Sequence, residues 1–311
     1  MNDYRPVALT SCVMKSMERI VLKKLMAHVG GRLDPLQFAY KPKRGVEDAT
    51  SLLVHLVAEH LEKPGHHVRI LYVDFSSAFN TMRPSLLVNK LLDLDVDPAL
   101  CKWVLNYLRE RPQCVRVNDV HSSSRMTCIG APQGCVLSPF LFTIYTDNHR
   151  GDENNIIIKY ADDTALAGLI RPGADDSYRQ AVARFVTQCE TDDLSLNVRK
   201  TKEMRLDFRK TSSPPTHVPV AIRNEPVETV TEYKYLGTII QEDLKWTSHV
   251  SAQVKKANQR LYFLRKLAEF NLGAEVRKLF YSSVIESVLL FGVAVWGGAC
   301  SQRDAGKIQR I

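Results

Sequence analysis

The stretch NIIIKYADDTALAG, residues 155–168, decides the fold. Two short runs rich in strand formers flank a tight turn carrying Asp162 and Asp163, the pattern of a β-hairpin whose turn projects its side chains beyond the sheet. A second apolar run, RILYVDF at 69–75, also reads as a strand and closes on an acid, Asp74. If the two are neighbours, Asp74 and Asp162 converge on rigid mounts at one end of a sheet. Hard carboxylate oxygens suit magnesium, which keeps positions open for water and phosphate, and a pair of such ions serves in-line displacement at phosphorus. An isolated Asp-Asp turn is more often ordinary turn chemistry. The weight therefore falls on what surrounds it.

Outward from these strands, Val13 to Val29 places apolar residues at 13, 14, 17, 20, 21, 25 and 29 between basic ones, an amphipathic helix. Val46 to Leu61 predicts a second helix, with Glu47 and Asp48 in its first turn. Leu86 to Leu94, Pro98 to Leu108, Phe140 to Tyr145 and Tyr178 to Leu194 read as further helices, and Cys114 to Val120, EMRLDF (203–208) and YKYLGTII (233–240) as strands. Lys210 to Pro219, with three prolines, is a linker or surface loop. Val250, Val254, Ala257, Leu261, Leu264 and Ala268 step alternately by four and three, a helix with one buried seam, and Lys255, Lys256, Arg260, Arg265 and Lys266 occupy its other faces. Without a strict βαβ rhythm or a G-x-G-x-x-G turn, a mixed α+β core with helical ends fits better than a doubly wound nucleotide fold.

At 311 residues, 45% hydrophobic and 24% charged, the chain can bury a substantial core spread over two or three lobes. The tail stretch Val284 to Trp296 is too short for a membrane span and is interrupted by Glu286 and Gly292, and the start MNDYRPVALTS lacks the basic-then-apolar order of a signal peptide. Seven cysteines without a C-x-x-C pair argue against structural zinc and a disulfide framework, and for a reducing compartment. The net charge of +8 divides unevenly: residues 1–70 carry 11 basic and 7 acidic side chains, 71–247 carry 21 and 23, and 248–311 carry 10 and 4. Basic flanks suit a polyanion and an acidic centre concentrates divalent cations, although a solvated basic surface accounts for the same charges about equally well.

Seven blocks give the acids their context: YRPVALTS (4–11), QFAYKPKRG (37–45), YVDFSSAFNT (72–81), APQGCVLSP (131–139), KYADDTALAG (159–168), SLNVRKTKEM (195–204) and YKYLGTII (233–240). In this order they resemble the reverse transcriptase of non-LTR (LINE-type) retrotransposons, close to the jockey-like and Rex-like elements of animals, and they span nearly the whole chain. The resemblance implies an α+β right-hand polymerase fold. Residues 1–70 would be fingers lacking the family's earlier segment, 71–242 a palm of antiparallel sheet and helices with inserted fingers elements, and 243–311 a helical thumb and tail.

The resemblance also implies roles. Asp74 and Asp162 would bind two Mg2+ ions, with Mn2+ as a substitute, the backbone carbonyl of Phe75 as a further ligand and Asp163 in support. Phe79 would lie beneath the incoming sugar as the gate against a 2′-hydroxyl, and Gln133 and Gly134 would position nucleotide and template. Arg5, Lys41 and Arg44 are candidates for the triphosphate, which arginine grips bidentately and lysine as a point charge. Lys200 and Lys202 compete to be the acid that protonates pyrophosphate; Lys200 ranks first because it occupies the lysine of the family's N-x-x-K-T pattern. YKYLG would form a hairpin gripping the primer end, and the basic helix after Ser248 would track duplex phosphates. Outside these blocks Phe79 would read as a core aromatic, Gln133-Gly134 as a structural turn and the cations as solvated surface.

The implied activity is RNA-templated DNA synthesis from deoxynucleoside triphosphates on a DNA primer at target DNA, in the nucleus and away from membranes. Two other classes compete: a truncated, catalytically inactive remnant that keeps nucleic-acid binding, and a binding module resting on the basic flanks alone. Survival of all the metal-binding positions favours the enzyme.

Overall fold

The computed structural model describes residues 7–209, 218–270 and 272–311. Its centre is a five-stranded sheet in the order Glu228–Thr229, Lys202–Leu206, His67–Val73, Asp163–Ile170, Asn155–Tyr160. Neighbours are antiparallel except at the edge, where Glu228–Thr229 runs parallel to Lys202–Leu206. The strand that leads to Asp74 is thus central, and the acidic hairpin lies directly beside it. All seven residues of His67–Val73 are buried. A strand covered on both faces needs apolar residues on both, which is why it reads as a continuous run and not as an alternation.

One face of the sheet, with Leu71, Val73, Ile157 and Leu166, packs against helices Pro84–Asp93, Pro98–Leu108, Ser138–Tyr145 and Asp175–Thr191. The other, with Ile70, Tyr72, Ile158 and Ala165, lies under helix Val46–Leu61, the hairpin of Tyr235 and Ile240, and the first turns of helix Thr247–Glu269. Each fully buried side chain of this size stabilises the fold by roughly 1.5–3 kcal/mol over exposure. Gly168 is required by close approach: a Cβ there would lie 2.3 Å from Tyr178 Cδ2, so only glycine lets helix Asp175–Thr191 seat on the sheet.

Several expectations need correction. Helix Cys12–Val29 forms, but of its apolar stripe only Val21, Leu25 and Val29 are buried, while Val13 is 81% exposed. Cys114 to Val120 is not one strand: Arg116–Val117 and Val120–His121 form a small hairpin, with Asn118 at φ 53 in its Asn-Asp turn, so turn chemistry overrides strand propensity. The helix expected over Tyr178 to Leu194 runs from Asp175 to Thr191, because Asp175 and Asp176 suit its first turn and Asp193, at φ 55, ends it. YKYLGTII is not one strand but the hairpin that the resemblance implies for YKYLG, Glu232–Tyr235 with Thr238–Gln241, turned by Leu236 and Gly237, both at positive φ. Most of the proline-rich stretch, 210–217, lies outside the described residues. Among the described residues no single helix is long and apolar enough to cross a membrane.

Candidate active site

Sheet register places the acids. Val73 pairs with Thr164 and Tyr160 with Asp163, so Asp74 leaves its strand beside Asp163, while Asp162 occupies the turn one residue further on. Three backbone contacts then fix the exit of the Asp74 strand. The Asp74 N–H donates to Thr201 Oγ1 (3.3 Å), the Asn197 N–H donates to the Asp74 carbonyl (2.9 Å), and the Ser76 N–H donates to the Ser195 carbonyl (2.8 Å). The last two flank an antiparallel bridge between Phe75 and Leu196. In such a pair the bridged residue turns its own N–H and C=O the other way, here toward the acidic hairpin.

That geometry tests the fit to a divalent metal. Two carboxylate-bearing positions and a backbone carbonyl direction meet at one open sheet end. Among the described residues Asp162 has no ion pair, and no group of three or more His, Cys, Asp or Glu side chains is arranged to hold a metal ion by itself. An oxygen-only, incomplete donor set suits a hard cation that retains water and substrate oxygens, and fits poorly with zinc.

Two tyrosines line the same end. Tyr233 stacks on Tyr72, rings 4.1 Å apart and 12° from parallel, and burial, then the charges of Asp163 and Asp74, raise its phenol pKa. Burial, then the charge of Asp162, likewise raise that of Tyr40 in the QFAYKPKRG loop, which Gln37 bonds to the turn at Ala161. Both hydroxyls therefore keep their protons at neutral pH.

The remaining candidates fall into groups. The Phe79 ring stacks on Phe142 (4.5 Å, 26°), and its carbonyl accepts from the Ala131 N–H at 2.7 Å. Gln133 Nε2 donates to Asn80 Oδ1 at 3.2 Å, and Gly134, at φ +91, leaves 3.1 Å between a would-be Cβ and Val7 Cγ1. Residues 79–80 and 131–134 thus make one surface. Lys41 and Arg44 line a cavity of about 360 Å³ with Tyr40 and Phe140. Lys41 Nζ donates to the Asp34 carbonyl at 2.6 Å, and burial lowers its pKa; the Arg44 guanidinium lies 5.1 Å over the Phe38 ring. Arg5 lies outside the described residues. Lys200 is exposed beside the Asn197 turn, whereas Lys202 Nζ is bound to the Arg199 carbonyl (2.7 Å) and Glu228 (2.5 Å).

Three residues at this site escaped the sequence reading. Thr201 and Asn197 could have been flagged by the N-x-x-K-T text that contains them. Gln37 is 1% exposed; its Oε1 accepts from the N–H groups of Ala161 (3.0 Å) and Ala39 (3.1 Å), and its Nε2 donates to the Ala161 carbonyl (3.4 Å). Only its place at the head of QFAYKPKRG marks it.

A family model described as "Reverse transcriptase (RNA-dependent DNA polymerase)" matches residues 1–240, and one described as "Alkylated DNA repair protein alkB homolog 8, N-terminal" matches residues 246–287. The chain is 27% identical over 314 residues to a "Probable RNA-directed DNA polymerase from transposon BS" of Drosophila melanogaster, covering 95% of this chain and 34% of that protein. It is 25% identical over 312 residues to the "RNA-directed DNA polymerase from mobile element jockey" of the same organism, covering 95% and 33%. The chain therefore spans about a third of the length of these relatives. Telomerase from Candida albicans, solved in complex with a TWJ fragment of telomeric RNA, aligns with 96% of this chain and 54% of its own at 12% identity and a TM-score of 0.50, a likeness of fold. With the first family model covering most of its length and relatives from non-LTR elements matching nearly all of this chain, the chain belongs to the reverse transcriptase (RNA-dependent DNA polymerase) family and has its right-hand polymerase fold.

Proposed function

We propose that this chain is the catalytic core of an RNA-directed DNA polymerase that extends a DNA primer 3′-hydroxyl with deoxynucleoside triphosphates on an RNA template, releasing pyrophosphate. The observation that carries the reading is the register that sets Asp74 beside the Asp162-Asp163 turn, with the Phe75 carbonyl directed to the same side. Asp74, Asp162 and that carbonyl would hold two Mg2+ ions, or Mn2+ in their place, and Asp163 would support them from the Tyr233 side. When bound, the ions supply Lewis-acid stabilisation to the attacking and leaving oxygens of an in-line displacement.

The chain's own groups do the rest. Phe79, backed by Phe142, presents a rigid apolar wall that leaves a 2′-hydroxyl no room and no polar partner. Gln133 and Gly134 hold nucleotide and template against that wall. Arg44 ranks before Lys41 for the triphosphate because the Lys41 amine is already on the Asp34 carbonyl; Arg5 joins them on its sequence block alone. Lys200 is the better proton donor to pyrophosphate, since Lys202 is committed to Glu228. The 232–241 hairpin would grip the primer end, and Thr247–Glu269 would track the duplex as part of a thumb from 243, after fingers over 1–70 and a palm over 71–242. Target DNA as substrate and a nuclear location follow from the family.

Primer extension on an RNA template with Mg2+ tests the reading. Wild type extends the primer and Asp162→Ala does not; equal rates for the two proteins would sink it.

A further inference from the structure

We infer that Gln37 is a positioning residue for Asp162, acting through the backbone of Ala161; the inference rests on the metal-binding reading of Asp162 given above. Ala161 is the first residue of the two-residue loop between Tyr160 and Asp163, and its φ is +58. Hairpin loops of this length give such a position to glycine, asparagine or aspartate, because a Cβ crowds the neighbouring carbonyl in the left-handed region. Alanine has no side chain to offset that crowding by local hydrogen bonding. The compensation comes from Gln37, whose amide pairs with both the N–H and the carbonyl of Ala161, like one peptide group bonded to another.

The clamp is itself rigid. Residues 36–38 lie along the outer edge of strand Asn155–Tyr160: the Lys159 N–H donates to the Leu36 carbonyl (2.9 Å), and the Phe38 N–H donates to the Lys159 carbonyl (2.8 Å). A buried ion pair, Lys159 Nζ to Asp34 Oδ2 at 2.8 Å, ties the same segment to the same strand. The N–H of Ala39 takes a further share of Gln37 Oε1 and sets the amide's direction. Gln37 therefore has one orientation available, and Ala161 has one backbone conformation. The next residue is Asp162, so the direction in which its carboxylate leaves the turn is fixed from the fingers side. Outer partners that orient a ligand typically alter metal affinity or activity by about 10–100-fold when removed.

The test is a rescue cycle read by Mn2+ binding, followed as loss of the free-ion electron paramagnetic resonance signal, with hydrogen exchange over residues 160–164 as a second reading. Gln37→Met keeps the side chain's length and removes both bonds to Ala161 together with the one from the Ala39 N–H. Its Mn2+ affinity is expected to fall about tenfold or more, with faster exchange at Ala161. Adding Ala161→Gly, which accepts positive φ without help, is expected to restore most of that affinity. Ala161→Gly alone in wild type is expected to bind as wild type does. Recovery also shows that the single variant was folded apart from the turn. If Gln37→Met binds Mn2+ like wild type, or if Ala161→Gly restores nothing, the clamp is overturned while the metal reading stands. If wild type and Asp162→Ala bind Mn2+ equally, the metal reading fails and this inference fails with it.

Discussion

The buried pair between Lys159 and Asp34 makes a sharp prediction about what joins the first segment to the acidic hairpin. Lys159 is 1% exposed, and its Nζ lies 2.8 Å from Asp34 Oδ2, the Thr146 carbonyl and the His149 carbonyl. Burial lowers the lysine's pKa and the Asp34 charge opposes that shift. Lys159→Met preserves most of the stem's packing but leaves the Asp34 carboxylate, 4% exposed, without its cation and strips two carbonyls of their donor. Removing one partner of a buried pair costs about 3–5 kcal/mol, a large share of the roughly 5–15 kcal/mol that holds a domain. Adding Asp34→Asn removes the orphaned charge and keeps an oxygen for the Leu36 N–H, which Asp34 Oδ1 now accepts at 2.9 Å. The double variant should therefore be more stable than Lys159→Met alone. Urea unfolding followed by circular dichroism measures both. A single-variant loss below about 1 kcal/mol, the range of surface pairs, or no recovery in the double, would refute the assignment of a desolvated pair.

Other outcomes can be checked in the extension assay and in pH titrations of stability. Phe79→Val should raise ribonucleotide use relative to deoxyribonucleotide by at least about tenfold; single-nucleotide incorporation measures it, and an unchanged ratio removes Phe79 as the gate. Lys200→Ala should lower kcat by about a hundredfold, as loss of a general acid does, with primer-template affinity unchanged, whereas Lys202→Ala should act through stability by freeing Glu228; the reverse pattern would exchange their roles. His149, buried against Asp192 at 2.7 Å, has its pKa lowered by burial first, with Asp192 pulling it up. The unfolded chain then binds the extra proton as pH falls below 6.5, the ordinary histidine value, so its contribution is complete above that pH and is lost as pH drops through the lowered folded value. His149→Gln should flatten the curve there by up to about 1.4 kcal/mol per pH unit, and an unaltered slope would count against a neutral buried His149.

What was legible in the sequence was local. The strands carrying Asp74 and the acidic hairpin show in runs of strand formers, and Val46–Leu61 and Pro98–Leu108 show in helical periodicity with Pro or acids at their starts. Where local signals compete, strand propensity misleads: Asn118-Asp119 turns a predicted strand into a hairpin, and Leu236-Gly237 does the same within YKYLGTII, where the resemblance and not the propensity implies the turn. Periodicity also cannot say whether an apolar stripe finds a partner: the helix expected over Val13 to Val29 forms as Cys12–Val29, yet Val13 stays exposed. Glu18 on that helix looks like solvated surface, yet it is fully buried with Oε2 accepting the N–H groups of Val136 (2.6 Å) and Leu137 (3.0 Å), next to Gln133-Gly134.

The contacts that fix the candidate site share one property that hides them from sequence. Thr201 holds Asp74 across 127 positions, Gln37 holds Ala161 across 124, and Glu18 braces the loop after Gly134 across 118. A motif names the acids because each sits on a local strand or turn. A hydrogen bond closed by the fold leaves no period, only a polar residue in an apolar neighbourhood. Catalytic geometry tolerates displacements of only about 0.5 Å, so those distant polar residues, more than the turn's own chemistry, should decide whether Asp162 is held where it can act. Within the block QFAYKPKRG, Gln37 is buried on the backbone of Ala161, while the Arg44 guanidinium lies over the Phe38 ring at the exposed end of the block.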